Sequence, residues 1–288
     1  MLRIALPNKG RLSEQARELF ADAGLEARTG SDRALTASLG GEFEALFVRA
    51  QDIPEFVADG AADVGVTGLD LVRESGRDLE TLLDLGFGRC RLVLAAHDER
   101  GATSADQLAP GTRVATSFPR LTREYFASRS LAVEVVPVSG AAEIAPHIGI
   151  ADVVVDLTST GSTMKVNGLR ELDTLLESTA RLIARPGESE ADAPRGKSMR
   201  ERVVALASVL RARGQRYVMA HVPRTALEQE RQVLPGLNGP TVTEVMDGGR
   251  FVAVHAVVPA QTLYRTIAEL QTLGAEGILV TRIERLLP

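Results

Sequence analysis

Residues 149–164 read GIADVVVDLTSTGSTM. An apolar run, Val153 to Val155, ends in Asp156, and Thr158, Ser159, Thr160, Gly161, Ser162 and Thr163 follow at once. A buried strand that stops in hydroxyls packed around one glycine, just ahead of a helix start, has the makings of an anion cradle. Backbone N–H groups point into such a turn, the helix dipole adds partial positive charge, and the hydroxyls donate further hydrogen bonds. Gly161 lets the backbone approach the anion with no Cβ in the way. Asp156 repels a phosphate but accepts hydrogen bonds from a sugar diol beside it, and phosphate plus diol is the chemistry of a ribose 5-phosphate. The competing reading is a capped helix start with spare hydroxyls, because Ser and Thr favour such turns for local reasons. No Gly-Lys-Ser or Gly-Lys-Thr follows, so this is not a Walker loop, and it is not the dinucleotide fingerprint.

The elements around this loop alternate between strand and helix. A short strand, Leu2 to Leu6, leads through PNKGR into an amphipathic helix, Ser13 to Ala23, with Ser13 as the expected N-cap. Strand patterns recur at 35–38, 45–48, 64–67, 92–96 and 113–116, with helices expected over 54–59 and after Gly68. This order implies an α/β fold with mostly parallel sheets. Residues 60–66, GAADVGV, echo residues 149–155, GIADVVV; each follows a proline-containing segment expected to be helical, DIPEFVAD and AEIAPHI. The echo implies two related lobes, each with a ligand-facing loop at the carboxyl end of a buried strand. Asp63 and Asp152, which precede those strands, read as turn or capping residues.

Residues 186–200, PGESEADAPRGKSMR, read as a loop or linker. A helix follows and ends near Gly214. The last segment has the order β-α-β-β-α-β: strands at 217–222, 241–245, 251–257 and 277–283, helices at 224–234 and 259–273, and a DGG turn signal at the hairpin. That is the ferredoxin-like order, which by itself fixes no function.

Composition sets the outer limits. The 288 residues fit two or three compact units; 44% are hydrophobic and 25% charged, enough for sizeable cores. Aromatics are only 4% and Trp is absent, so those cores must be aliphatic. A formal net charge of −5 argues against non-specific nucleic-acid binding but not against a local phosphate cradle. One cysteine, Cys90, permits no internal disulfide, fits a reducing compartment and reads as a small buried hydrophobe. No apolar stretch reaches spanning length, and MLRIALPNKGRL lacks the features of a signal peptide, so a cytoplasmic location and no membrane association are expected. His97, His147, His221 and His255 make no metal motif by spacing.

The segment EIAPHIGIADVVVDLTSTGSTMKVNGL resembles the phosphoribosyl-pyrophosphate loop of the ATP phosphoribosyltransferase family, and so, nearly end to end, do LRIALPNKGRLSE, RAQDIPEFVADGAADVGVTGLD, LGFGRCRLVLA, RVATSFPRL, RYVMAHVPR and LPGLNGPTV. Length and tail resemble the long form, which carries its own regulatory domain; the short form depends on a separate subunit. The resemblance implies two lobes like those of periplasmic binding proteins: lobe I from 1–93 with 181–213, lobe II from 94–180, and a ferredoxin-like regulatory domain over 214–288. It implies transfer of a phosphoribosyl group to N1 of ATP with release of pyrophosphate, and Mg²⁺ held mainly through that pyrophosphate. Lys9, Arg11 and Arg49 would supply the cations for two polyphosphates. Residues Thr158, Ser159, Thr160, Gly161, Ser162 and Thr163 would hold the 5-phosphate, with Asp156 and Glu143 on the ribose hydroxyls and the metal-bound pyrophosphate. Gly68, Asp70, Leu71 and Phe118 would touch ATP; Phe118 stands where the family usually has Tyr. Gly88 and Arg89 would lie near the lobe crossover. Histidine would inhibit from a pocket at Leu237, Thr241 and Ala275, through dimers and hexamers of the chain. Two other classes share the fold. A solute-binding protein is opposed by the missing secretion signal, and a sensor domain by the lack of a helix-turn-helix or basic face. A catalytically dead regulatory paralogue is opposed by the intact hydroxyl loop.

Overall fold

The chain begins with β1 (Leu2–Pro7), α1 (Arg11–Asp22), β2 (Ala27–Arg28), β3 (Thr36–Leu39), β4 (Phe43–Val48), α2 (Ile53–Ala58), β5 (Val64–Gly68), α3 (Leu69–Ser75) and β6 (Glu80–Asp84). It continues with β7 (Cys90–His97), β8 (Thr112–Thr116), α4 (Pro119–Ser128), β9 (Val133–Pro137), β10 (Val153–Thr158), α5 (Ser162–Val166), β11 (Leu169–Ser178) and β12 (Ala180–Ala184). This is a computed structural model; it describes residues 2–287 except 29–33, 41–42, 98–100, 102, 191–193, 238 and 247. Asn238 of PGLNGPT, Asp247 of the DGG turn and residues 191–193 of the linker therefore lie outside the described residues. The chain divides into two compact units, Met1–Arg200 and Glu201–Pro288.

The first unit holds two sheets. Lobe I is the sheet β2-β3-β4-β1-β5-β12-β6, and lobe II is the sheet β11-β7-β10-β8-β9. Both are mixed, which corrects the expectation of mostly parallel sheets. Parallel pairing joins β1 to β4 and β5, and β8 to β9 and β10. The strands that carry the chain between lobes, β7, β11 and β12, pair antiparallel with their neighbours. A strand returning from the other lobe enters from the opposite end, so it runs against its neighbours. The strand cut at residue 93 in the expected lobe boundary runs unbroken as β7 in lobe II.

The echoed segments occupy equivalent places. The Asp63 N–H donates to the Arg3 carbonyl at 2.9 Å, and its Oδ2 accepts the Arg3 N–H at 2.7 Å. The Asp152 N–H donates to the Arg113 carbonyl at 2.8 Å, and its Oδ2 accepts the Arg113 N–H at 2.9 Å. Each aspartate thus staples the start of a buried strand, β5 or β10, to a parallel neighbour, β1 or β8. The preceding segments do not match. DIPEFVAD forms α2, with Pro54 in the first turn where a missing N–H costs nothing. AEIAPHI forms only a 3₁₀ turn at Ala142–Ile144, because Pro146 has no N–H to return to the carbonyl four residues back. At α1 the cap position falls to Gly10, with no side-chain cap, and Ser13 lies buried inside the first turn, its N–H on the Gly10 carbonyl at 3.0 Å.

The second unit begins within α6 (Pro194–Arg213), so the latter part of the expected linker is helical; Pro194 sits in the first turn, where proline is tolerated. Then come β13 (Gln215–Pro223), α7 (Leu227–Val233), β14 (Thr241–Glu244), β15 (Phe251–Pro259), α8 (Leu263–Thr272) and β16 (Glu276–Arg282). The sheet order β14-β15-β13-β16 with antiparallel pairing is the ferredoxin-like topology. Its core is aliphatic: Val218, Ala220, Val222, Leu234, Val252, Val254, Val258 and Leu270.

Against that core lies Glu230 of α7, fully buried, with neither carboxylate oxygen hydrogen-bonded among the described residues. Burial pushes its carboxyl up to about 7. The folded state therefore holds this proton more tightly than the unfolded chain. The stability it contributes is full below the ordinary carboxylate range and is lost as pH rises through about 7. Glu230→Gln, which keeps the shape and removes the charge, raises the thermal midpoint of the second unit more at pH 8 than at pH 5. Calorimetry across that range reads the difference, and an equal effect at both pH values contradicts this account.

Candidate active site

The hydroxyl loop sits where the sequence places it. Val153, Val154 and Val155 are fully buried in β10, and the loop connects Thr158 to α5. Its hydroxyls divide into two sets. The Thr158 Oγ1 is buried and accepts the Gly161 N–H at 2.8 Å, so it closes the loop from within. Ser159, Thr160, Ser162 and Thr163 are exposed, with Thr160 and Ser162 joined through their hydroxyls at 2.9 Å. Gly161 has φ +76°, and a Cβ there would stand 3.0 Å from Glu171 Oε1. Any other residue would carry backbone strain there and crowd the Glu171 carboxylate.

Glu143 and Asp156 converge beside the loop, although they lie on a 3₁₀ turn and on a strand. Burial, with the neighbouring Glu143 carboxylate adding to it, raises the Asp156 carboxyl; the Leu157 N–H, at 2.7 Å, opposes the shift. Two close carboxylates next to hydroxyls suit a diol or a hard divalent cation. Among the described residues there is no cluster of three or more His, Cys, Asp or Glu able to cage a metal alone. That donor set fits Mg²⁺ carried in with substrate phosphates, the usual pattern for this ion.

Arg11, in the first turn of α1 in lobe I, reaches into lobe II. Its guanidinium donates to Ser159 Oγ, and more weakly to the carbonyls of Gly88 and Arg89 at 3.4 Å. Lys9 and Arg49 are exposed just beyond the carboxyl ends of β1 and β4, which the Asn8 N–H ties together through the Val48 carbonyl at 2.8 Å. The three expected cations therefore gather at one edge of lobe I, and one of them touches the loop of lobe II. Gly88 and Arg89 do lie in the crossover between β6 and β7.

The residues expected to meet the nucleotide lie at the heads of α3 and α4. The Asp70 carboxylate is 4% exposed and accepts the Ser178 hydroxyl, while the Asp70 N–H donates to Ser178 Oγ at 3.1 Å. Burial raises this carboxyl, and the Ser178 bond pulls it back. Gly68 is buried, and a Cβ there would strike the Asp70 carboxylate. Leu71 packs against the lobe II core, in which Phe118 is 5% exposed. Asp70 and Leu71 take part in the inter-lobe contact, and Phe118 lies in the lobe II core that Leu71 meets. Apolar residues at the head of α3 and α4 are drawn into the aliphatic core that a chain poor in aromatics must assemble. Burial also pushes the Cys90 thiol up, which fits a buried hydrophobe and not a nucleophile.

Sequence reasoning passed over a cavity of about 380 Å³ at the crossover, lined by Arg89, Arg91, Arg181, Asp84, Ser159 and Thr179 among others. Arg89 and Arg91 flank Cys90, and that period-2 spacing was the available signal that both guanidinia share a face. Of the histidines, His97 and His147 meet edge to face, with ring centroids 4.7 Å apart.

In the second unit, Leu237 is 58% exposed, Thr241 lies on β14 and Ala275 immediately precedes β16. β14 and β16 are opposite edges of the sheet, separated by β15 and β13. At about 4.8 Å per strand, the two expected pocket walls stand roughly 14 Å apart within one chain. A single copy therefore does not close a pocket around these three residues. Spacing along the sequence gave no sight of the strand order, which exchanges neighbours.

Comparison with known proteins adds the following. The family description HisG: ATP phosphoribosyltransferase matches residues 49–211, and HisG, C-terminal domain, matches residues 212–285. An ATP phosphoribosyltransferase of Gemmatimonas aurantiaca is 68% identical over the whole of both chains. One of Methanocella arvoryzae is 48% identical over 99% of each. Among solved structures, an ATP phosphoribosyl transferase (HisG:HisZ) complex from Thermotoga maritima is 29% identical with a TM-score of 0.63, covering 72% of this chain and 98% of that one.

Proposed function

The chain belongs to the ATP phosphoribosyltransferase family, and from that premise we propose how its residues carry out the reaction and how it is controlled. Membership makes it an enzyme of the first step of histidine biosynthesis, acting on ATP and phosphoribosyl pyrophosphate. In the proposed reaction the adenine N1 lone pair attacks C1 of the phosphoribosyl group, the C1–O bond to pyrophosphate breaks, and the anomeric carbon inverts.

The observation that carries the assignment of parts is the loop Ser159–Thr163 with the Arg11 guanidinium already against Ser159. The exposed hydroxyls and backbone N–H groups of this loop bind the 5-phosphate. Glu143 and Asp156 orient the ribose diol and the cation that accompanies the pyrophosphate. Mg²⁺, when bound, supplies charge that offsets the departing pyrophosphate. Arg11, with Lys9 and Arg49 beyond it, receives the polyphosphates; the arginines clamp bidentately and Lys9 acts as a point charge. Adenine N1 is a free lone pair at neutral pH, so no general base is required. Catalysis is positioning and electrostatics around an oxocarbenium-like transition state.

Feedback inhibition by histidine belongs to the ferredoxin-like unit. Since Leu237, Thr241 and Ala275 do not close one pocket in a single chain, the ligand site is completed when copies of the chain assemble as dimers and hexamers. Inhibition then requires that histidine bind two arrangements of the assembly with different affinity. Among the described residues no helix is long and apolar enough to cross a membrane. The test is pyrophosphate release from ATP and phosphoribosyl pyrophosphate with Mg²⁺, with and without free histidine. Release that needs both substrates and falls with histidine supports both halves of the proposal. Release indifferent to histidine removes the regulatory half, and folded protein that binds the substrates without release removes the catalytic half.

A further inference from the structure

Helix α3 belongs to lobe I by sequence order but is fastened to lobe II along its length. At its start, Ser178, where β11 of lobe II ends, donates to Asp70. In its first turn Val72 joins a lobe I cluster while Leu71 packs into the lobe II core beside Phe118. At its end the Glu74 carboxylate is bidentate on the first turn of α4: Oε1 accepts the Arg120 N–H at 2.9 Å and Oε2 accepts the Leu121 N–H at 3.0 Å. These are two of the N–H groups that no helix can satisfy internally, and an acidic group there also meets the positive end of the helix dipole. The next residue but one, Gly76, ends α3 with φ +65°, and a Cβ there would collide with the Arg120 guanidinium. The carbonyl end of α3 and a carboxylate thus face the amide end of α4 and a guanidinium.

The clamp lies between two loops of opposite lobes. α3 follows directly on β5, and α4 follows on β8 through Ser117 and Phe118. The first of these loops carries Gly68, Asp70 and Leu71 and the second carries Phe118, the residues expected to meet ATP. We propose that Glu74 is a positioning residue for the nucleotide: by clamping α3 to the amide end of α4 it fixes the separation of these two loops. The positioning role rests on the reading, implied by the family resemblance, that ATP meets these two loops. A second bridge between the lobes runs through Arg11 and Ser159.

The test uses the full chain with Glu74→Ala, and the near-isosteric Glu74→Gln, which keeps one acceptor, in case the first does not fold. In ligand-free protein, hydrogen–deuterium exchange over residues 118–124 accelerates at least about tenfold in Glu74→Ala and less in Glu74→Gln, while exchange in β10 is unchanged. In pyrophosphate release the KM for ATP rises about tenfold in Glu74→Ala and is partly restored in Glu74→Gln, whereas the KM for phosphoribosyl pyrophosphate stays within about twofold. Unchanged exchange overturns the clamp. Faster exchange with an unchanged KM for ATP, or with both KM values raised alike, overturns the positioning role. A wild-type protein that releases no pyrophosphate overturns the reaction reading and the positioning role with it, while the exchange result still reports on the clamp itself.

Discussion

Arg11→Ala lowers kcat/KM for pyrophosphate release by about 10²–10³-fold, the range seen when one preorganised donor is removed from a site of developing charge. The guanidinium is exposed, and inside the protein it donates to one hydroxyl and, at longer range, to two carbonyls, so its loss leaves the thermal midpoint nearly unmoved. An activity loss without a stability loss is the signature of a group kept for a ligand. Arg11→Lys retains the charge but loses the planar fork, and it recovers only part of the rate. Steady-state kinetics with both substrates varied, alongside calorimetry of each variant, checks this. Full activity in Arg11→Ala would place the polyphosphate elsewhere.

The second large effect is on stability. Asp63→Ala destabilises the first unit by about 3 kcal/mol, the upper end of the cost of leaving a buried donor without its partner. Asp63 is 1% exposed, accepts the Arg3 N–H and faces the Arg185 guanidinium at 3.7 Å. Without it, the Arg3 N–H loses its acceptor beside a small cavity, while Arg185 keeps Glu188 and the carbonyls of Val57 and Ala62. For a unit of this size that cost lowers the thermal midpoint by about 6–12 °C. The equivalent Asp152→Ala costs less, because the Asp152 side chain is 20% exposed and Arg113 40% exposed, so water takes over part of the lost bonding. Scanning calorimetry of the two variants separates them; equal losses would mean that burial is not what distinguishes the two lobes.

The parts that were legible in the sequence are those whose meaning is local. The run from Asp156 to Thr163 carries its chemistry in residue type and order, and the ferredoxin-like tail in the spacing of short apolar runs. The echo of Asp63 and Asp152 was visible, but not its purpose, because their partners Arg3 and Arg113 lie 60 and 39 residues away. Residues 169–184 carried no strand signal: β11 breaks register between Glu171 and Asp173 and again between Thr174 and Leu176, which destroys the period of two. Phe118 and Asp70 look like ligand contacts by position alone. Position alone does not show that Ser178 donates to Asp70 or that Phe118 is buried in the lobe II core.

The placement of β12 bears on how the chain is made. This strand lies between β5 and β6, and among the described residues β6 pairs with no other strand. Almost all of lobe II is synthesised before β12, so β6 waits for about a hundred residues, roughly 5–20 s at ordinary translation rates, with no partner. During that interval the nascent chain exposes the edge of β5, a template for wrong pairing. Lobe I is therefore completed last, although it comes first from the ribosome, and a fragment ending before residue 180 has no route to it.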